Sequence, residues 1–446
     1  MTKRLLNASL FLVMGSMLFA SCKQEFLTTD APSGTTTQYA MANETSNVAM
    51  NDSLALVQFY KETDGENWRW NAGWLNDPLE YWRGVKVETI NGKKRVVELR
   101  LGAVDLRGDI PAVLGQLSEL RVLDLKWNER LTGSIPEELY DLRKLEVLNL
   151  RMTSITGELS PKIGQWVEMD TLNLRTFTFQ QEVYPYVRNK ALMTGKLPKE
   201  IGQLKKMRYL DLGRQGFSGE LPEEIGNCVA LEEIDTELCK FSGELPSSMR
   251  NLKNLNNLCL SYNQFSGKFP TWIAELVSLE RLWLNYNNFE GFIPENIAKL
   301  PHLWDLELAH NKLSGQLPKT LASMEALRSI SLGYNQLEGD FMNVLAPLLD
   351  GTLYEVDLSY NNFTGIVPDP VVYPTPLVLK GNKLTGSVPN YYLARPAILG
   401  GIIPQQDGYV FDNITNEEAD RLIPKYEPDP NLIHFPDLAE FCDIEE

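Results

Sequence analysis

Residues 279–294 read Leu279-Glu-Arg-Leu282-Trp283-Leu284-Asn-Tyr286-Asn287-Asn-Phe289-Glu-Gly291-Phe-Ile293-Pro294. Leu282 and Leu284 alternate around an outward Trp283, the period of a strand with one buried face. Asn287 is short and carries both donors and an acceptor, which suits it to bonding backbone groups where the chain leaves the strand. Gly291 permits a turn that other residues resist. Pro294 fixes φ, and Ile297 and Leu300 follow at helix-like spacing.

The same grammar recurs along the chain. Its glycines are Gly108, Gly133, Gly157, Gly195, Gly219, Gly243, Gly267, Gly291, Gly315, Gly339, Gly365 and Gly386. Seven of the eleven gaps between them are 24 residues, and one gap is 38. A unit of this size cannot bury its own apolar face. Stacked units share a continuous core, in which each buried Leu or Ile contributes roughly 1.5–3 kcal/mol. The pattern resembles the leucine-rich repeat family, and its Gly-x-Ile/Leu-Pro element is similar to the plant-type subclass. The resemblance covers residues 97–389 as twelve repeats. It implies an α/β right-handed solenoid, with a curved parallel sheet on the concave face and short helices or irregular turns on the convex face.

The segments around the repeats read differently. Lys3 and Arg4 precede an apolar run from Leu5 to Ala20, too short to span a bilayer and built like a secretory signal peptide. Its end, Leu18-Phe19-Ala20-Ser21-Cys22, resembles a bacterial lipoprotein lipobox, with Phe19 where Leu, Val or Ile is usual. Residues 1–21 are thus expected to be the signal and Cys22 the lipidated residue. Lys23-Gln24-Glu25 is similar in part to the surface-export signal of Bacteroidetes-type lipoproteins. Residues 22–50, rich in Thr, Ser, Ala and Asn, read as a tether. Residues 51–96 read as an N-terminal cap, with a helix begun by Asp52 or Ser53 and a cluster of Trp68, Trp70, Trp74 and Trp82. Its Trp82-Arg83-Gly84-Val85 resembles the cap of plant-type repeats, but Glu80 and Val87 stand where that family has cysteines. The tryptophans are read mainly as packing, with a carbohydrate platform as the alternative. Residues 390–446 leave the period and read as a C-terminal cap with an acidic tail.

Composition narrows the function. The chain of 446 residues has 59 acidic against 42 basic residues, a net charge of −17. That balance argues against nucleic acid, whose phosphates need a basic footprint, and against docking on an anionic membrane through a basic face. Five cysteines and three histidines show no metal-ligand spacing, and no nucleophile elbow or Walker loop is present. No catalytic residue, metal or cofactor is expected.

The face left to work with is the concave one. The mid-strand column runs Arg100, Asp124, Asn149, Asn173, Asp211, Asp235, Cys259, Trp283, Glu307, Ser331, Asp357, Val378. Just before the Asn position come Tyr262, Tyr286, His310, Tyr334 and Tyr360, five aromatic rungs about 4.8 Å apart. Beside Trp283 they form either a rigid recognition ribbon or side-to-side packing. Arg151, Arg175 and Arg214 precede the acidic Asp235 region, read as a binding feature or as a solvated face of weak ion pairs. An insertion at 178–191 carries Tyr184 and Tyr186, a second candidate surface. These residues are the expected partner contacts of a monomeric, non-enzymatic lipoprotein of the outer membrane, on the cell surface. A periplasmic or secreted location is the alternative. A protein partner is expected. The alternatives are glycan capture for an outer-membrane uptake system, or inhibition of a hydrolase, by resemblance to plant-type repeat inhibitors.

Overall fold

The computed structural model describes residues 49–176, 192–370, 372 and 375–423. The signal, Cys22, the tether, the insertion with Tyr184 and Tyr186, and the end of the acidic tail lie outside the described residues. From Lys93–Arg100 onward, twelve parallel strands pair in chain order as one sheet. The antiparallel strand Val85–Ile90 covers its N-terminal edge. Register matches the mid-strand column read from the repeat: Asp235 pairs with Cys259, Cys259 with Trp283, Trp283 with Glu307 and Glu307 with Ser331. Each strand is followed by an outer turn, and a proline opens most of the short 3₁₀ segments there, as Pro294 does for Glu295–Lys299. The spacing predicted short helices or irregular turns; 3₁₀ geometry fits a five-residue run whose φ is fixed at entry. Leu282, Leu284, Ile293, Ile297 and Leu300 are buried together in a core continuous along the coil. Phe217, Phe241, Phe265 and Phe289 stack within it at 6.2–6.4 Å.

The asparagines tie coil to coil. Asn287 Nδ2 donates to the carbonyls of Leu260 (2.9 Å) and Leu284 (3.1 Å), and its Oδ1 accepts from the Phe265 amide (3.0 Å). Asn263, Asn311, Asn335 and Asn361 repeat the arrangement. These backbone groups have no water to turn to, so each would otherwise be an unpaired buried dipole. Where the asparagine is missing, Thr153, Thr176, Gln215 and Cys239 bond a neighbouring carbonyl instead. Gln405 does the same for Leu379 and Ile402 and accepts from the Leu384 amide. One more coil therefore continues past 390, where the sequence reading had the period end. Its extra methylene and shorter spacing hide it from a 24-residue template.

A second parallel ladder, which the sequence reading did not anticipate, runs behind the first. It joins Ser218–Gly219, Lys240–Gly243, Gln264–Lys268, Asn288–Gly291, Lys312–Gln316, Gln336–Asp340 and Asn362–Thr364. The repeat glycines from Gly219 to Gly339 lie in it at φ between +79° and +89°, as Gly291 does, which is why the position is glycine.

At the N-terminal end the helix Ala49–Glu62 lays Phe59 and Tyr60 on Trp68 and Trp74. Trp82 follows at 4.8 Å from Trp74. All three indoles are buried and donate to backbone carbonyls, which excludes them as a carbohydrate platform; Trp70 stays exposed. Asp52 was expected to start the helix. It lies inside it, fully buried, and accepts from Arg95 Nε and from the Val96 amide, both at 2.9 Å. The helix is thereby pinned to the first long strand by a charge-assisted contact. Glu80, at one missing cysteine place, instead pairs with Lys94.

The charged concave residues of the fourth to sixth rungs also differ from expectation. They are not a solvated face. Arg175 is 8% exposed and bonds Asp235 and Glu237, with Asp211 3.6 Å away; Arg214 approaches Glu237 at the same distance. Such a lock is costly to break from one side, because the partner left behind is a buried charge. It joins rungs on both sides of the insertion. Burial and the neighbouring Asp235 and Asp211 carboxylates push Glu233 up to about 7.

Two outcomes follow for stability. Asn287→Ala should cost about 3 kcal/mol by chemical denaturation, because three buried backbone groups lose their partner. Asn287→Cys should cost less, since Cys239 already fills that place. For Glu233, the folded chain holds a proton more tightly than the unfolded one. Its contribution is therefore present in acid and lost as pH rises from about 4.5 to about 7. The melting temperature of Glu233→Gln, measured against the parent, should rise between pH 5 and pH 8.

Candidate functional site

The residue before most ladder positions has left-handed backbone: Trp127, Met152, Arg214, Leu238, Tyr262, Tyr286, His310, Tyr334 and Tyr360 all have φ between +52° and +62°. For a residue with a Cβ this conformation costs roughly 1–2 kcal/mol. It is imposed by the strand exit, which must turn the next side chain inward. From Tyr262 to Tyr360 the cost is offset by ring stacking at 3.9–4.2 Å between centroids. Such pairs are worth about 0.5–1.5 kcal/mol beyond area. The rings are closer than the strand spacing because they lean on one another. Both readings of the ribbon therefore hold geometrically. The rings pack sideways, yet Tyr286, Tyr334 and Tyr360 remain 38–42% exposed. At the C-terminal end, Gly381 takes the left-handed place beneath the Tyr360 ring, and Lys380 Nζ lies 5.6 Å from that ring.

Two hollows open on this face. The first, about 370 Å³, is lined by Arg100, Lys126, Arg151, Arg175 and Arg208 among an equal number of carboxylates, Asp211 and Asp235 included. Arg151 lies over the exposed Trp127 at 5.8 Å. The second, about 220 Å³, lies between Tyr262, Trp283, Tyr286 and His310. Trp283 Nε1 donates to Asp305 at 2.7 Å, and Asn285 Nδ2 donates to Glu307 at 2.5 Å, so both side chains are oriented. Burial, with Asp305, Glu355 and Asp357 nearby, pushes Glu307 up to about 7; burial also holds His310 below its usual value.

The structure thus gathers Tyr262, Trp283, Tyr286 and His310 about one hollow and continues their stack through Tyr334 and Tyr360. It places Arg151, Arg175 and Asp235 at the other hollow, and turns Arg175, Arg214 and Asp235 mainly toward internal partners. Asn285 and Glu307 were missed as candidates. Glu307 stood in the mid-strand column, but a single carboxylate there carries no sign of how deeply its neighbours bury it. Cys228 and Cys239 point their thiols at the carbonyls of Ile201 and Leu212, and burial pushes both up to about 12, which makes them inert.

Known proteins share this architecture. A family model of the leucine-rich repeat region matches residues 186–330, and one of a single leucine-rich repeat matches residues 352–372. The leucine-rich repeat receptor-like serine/threonine-protein kinase RGI4 of Arabidopsis thaliana is 42% identical over 91 residues, 20% of this chain and 8% of the kinase. The ectodomain of the receptor kinase GASSHO1/SCHENGEN3 from Arabidopsis thaliana, solved with CASPARIAN STRIP INTEGRITY FACTOR 2, superposes with a TM-score of 0.59. It has 31% identity over 70% of this chain and 38% of its own. PEPR1, solved with AtPEP1, gives a TM-score of 0.57 and 26% identity over 81% of this chain and 55% of its own. The chain spans less than two thirds of the length of each of these relatives. Period, register and these likenesses agree on the fold: a leucine-rich repeat solenoid, similar to plant receptor-like proteins.

Proposed function

We propose that this chain is a non-enzymatic recognition protein that binds a protein partner along its concave face. The observation that carries the reading is the five-ring ladder, packed rigid on its flanks yet open to solvent, along a twelve-strand sheet about 50 Å long. Preordered aromatic surface loses little entropy on binding, which is what recognition hot spots require. A face of that length suits a macromolecule rather than a metabolite. The ectodomains of GASSHO1/SCHENGEN3 and PEPR1, solved with their named factors, support a protein ligand for this fold. Cys22 serves as the lipid anchor, holding the solenoid at the outer membrane of a Bacteroidetes-like cell, with the surface as its working side. The signal-like run before Cys22 and the polar tether after it support that address.

Tyr286→Ala combined with Tyr334→Ala should abolish capture of the partner in pull-downs with the purified solenoid, while circular dichroism stays that of the parent and glycan arrays remain blank. Array hits lost on truncating exposed tryptophans would instead favour glycan capture. For the address, Cys22→Ala should move the protein from the membrane fraction to the soluble one; unchanged fractionation would discard the anchor.

A further inference from the structure

We propose that the hollow between Tyr262, Trp283 and Tyr286 receives one arginine side chain of the partner. The inference rests on the concave-face reading and adds the chemistry of the contact. At about 220 Å³ the hollow falls below the roughly 300–1,000 Å³ of pockets that enclose a whole small molecule, and suits a single inserted side chain. Its lining includes the carboxylates of Glu307 and Asp357, and of Glu237, which is already paired with Arg175, but no Lys or Arg, whereas the first hollow balances its acids with five cations. Ser261 also lines it. This residue is 5% exposed, and its Oγ has no hydrogen-bond partner among the described residues, so an acceptor for a further donor is already in place.

The walls are set before any ligand arrives. Trp283 is held by Asp305, and Tyr262 and Tyr286 are stacked on each other. A guanidinium is planar, weakly hydrated and forked, so it can lie along such rings while donating to more than one oxygen; an ammonium does this less well. The chain shows the same chemistry where the Arg281 guanidinium lies over the Trp304 ring at 4.8 Å. The groups facing Glu307 point the same way. Burial, with Asp305, Glu355 and Asp357, raises its proton affinity, burial holds His310 below its usual value, and Arg281 acts on Asp305. A carboxylate left that short of counter-charge gains most from an incoming cation.

The test uses the intact protein with the tripeptide acetyl-Gly-Arg-Gly-amide and its neutral citrulline counterpart. The readout is the indole ¹⁵N–H resonance of Trp283, assigned with Trp283→Phe. A saturable shift is expected with the arginine peptide, with at least tenfold weaker binding of the citrulline peptide. Glu307→Gln should lower arginine affinity at least tenfold, and Asp357→Asn is the second variant should the first fold poorly. Equal affinity for the two peptides, no saturable shift, unaltered affinity in both variants, or saturable binding of a neutral oligosaccharide would overturn the inference. If a protein partner binds through the tyrosines and the arginine probe does not, only this inference falls. If the probe binds and no protein partner does, the cation site stands and the partner reading falls.

Discussion

A side-chain amide at each strand exit is what lets the coil close on itself. The chain must turn sharply there in the middle of an apolar stack, and the turn strands backbone carbonyls and amides that water cannot reach. Asn287 answers with three buried bonds, one to Leu284 at the end of its own strand and two to the preceding coil, at Leu260 and Phe265. Because each asparagine serves its own coil and the previous one, the ladder is also a register device. A slip of one residue would leave the whole row unpaired. Between residues 153 and 239 the ladder is made of Thr, Gln and Cys, which make fewer such bonds. The buried lock of Arg175 with Asp211, Asp235 and Glu237 sits on the concave side of that same stretch. Ionic ties across three rungs hold together the part of the spine that its amides hold least.

The same turn explains the aromatic ladder. A left-handed residue precedes each inward asparagine, and glycine would be the low-strain choice. This chain uses glycine there only at Gly381, below Tyr360, where a Cβ would come within 2.6 Å of the ring. Elsewhere it accepts the strain and recovers it by stacking. The rings are therefore fixed by backbone geometry on one side and by their neighbours on the other, which gives a surface that changes little when something lands on it.

The fold was legible because one side of the strand has period two and the coil has period 24, and both survive substitution. The pairing of Trp283 with Glu307, or Asp235 with Cys259, follows from counting alone. What counting missed has a common cause: features set by contacts between distant residues. Asp52 looks like a helix start until Arg95 and Val96 are brought to it. Gln405 hides one more coil because its longer side chain does an asparagine's work at a different spacing. The left-handed backbone of the tyrosines shows in no residue preference, since tyrosine is unfavoured there. Burial of the charged column likewise comes from contacts across rungs, of Arg175 with Asp211, Asp235 and Glu237. In sequence, Arg175 and Asp235 read as surface charge.

That burial divides the concave face into two electrical regimes. Toward the N-terminal rungs, acids and bases alternate closely and neutralise one another, so an incoming charge meets no strong field and must displace an existing pair. Around the second hollow no base lines the face while the carboxylates continue, through Glu307 and Asp357, on a surface already dried by tyrosine rings. A low-dielectric surface with unbalanced acid raises its own proton affinity, as Glu307 does. It also draws cations with more force than the same charges would in open water. The net charge of −17 acts in the same direction at longer range. On the proposed reading, a protein partner would be drawn with its basic end toward the tyrosine ladder, whose rings are fixed before it arrives.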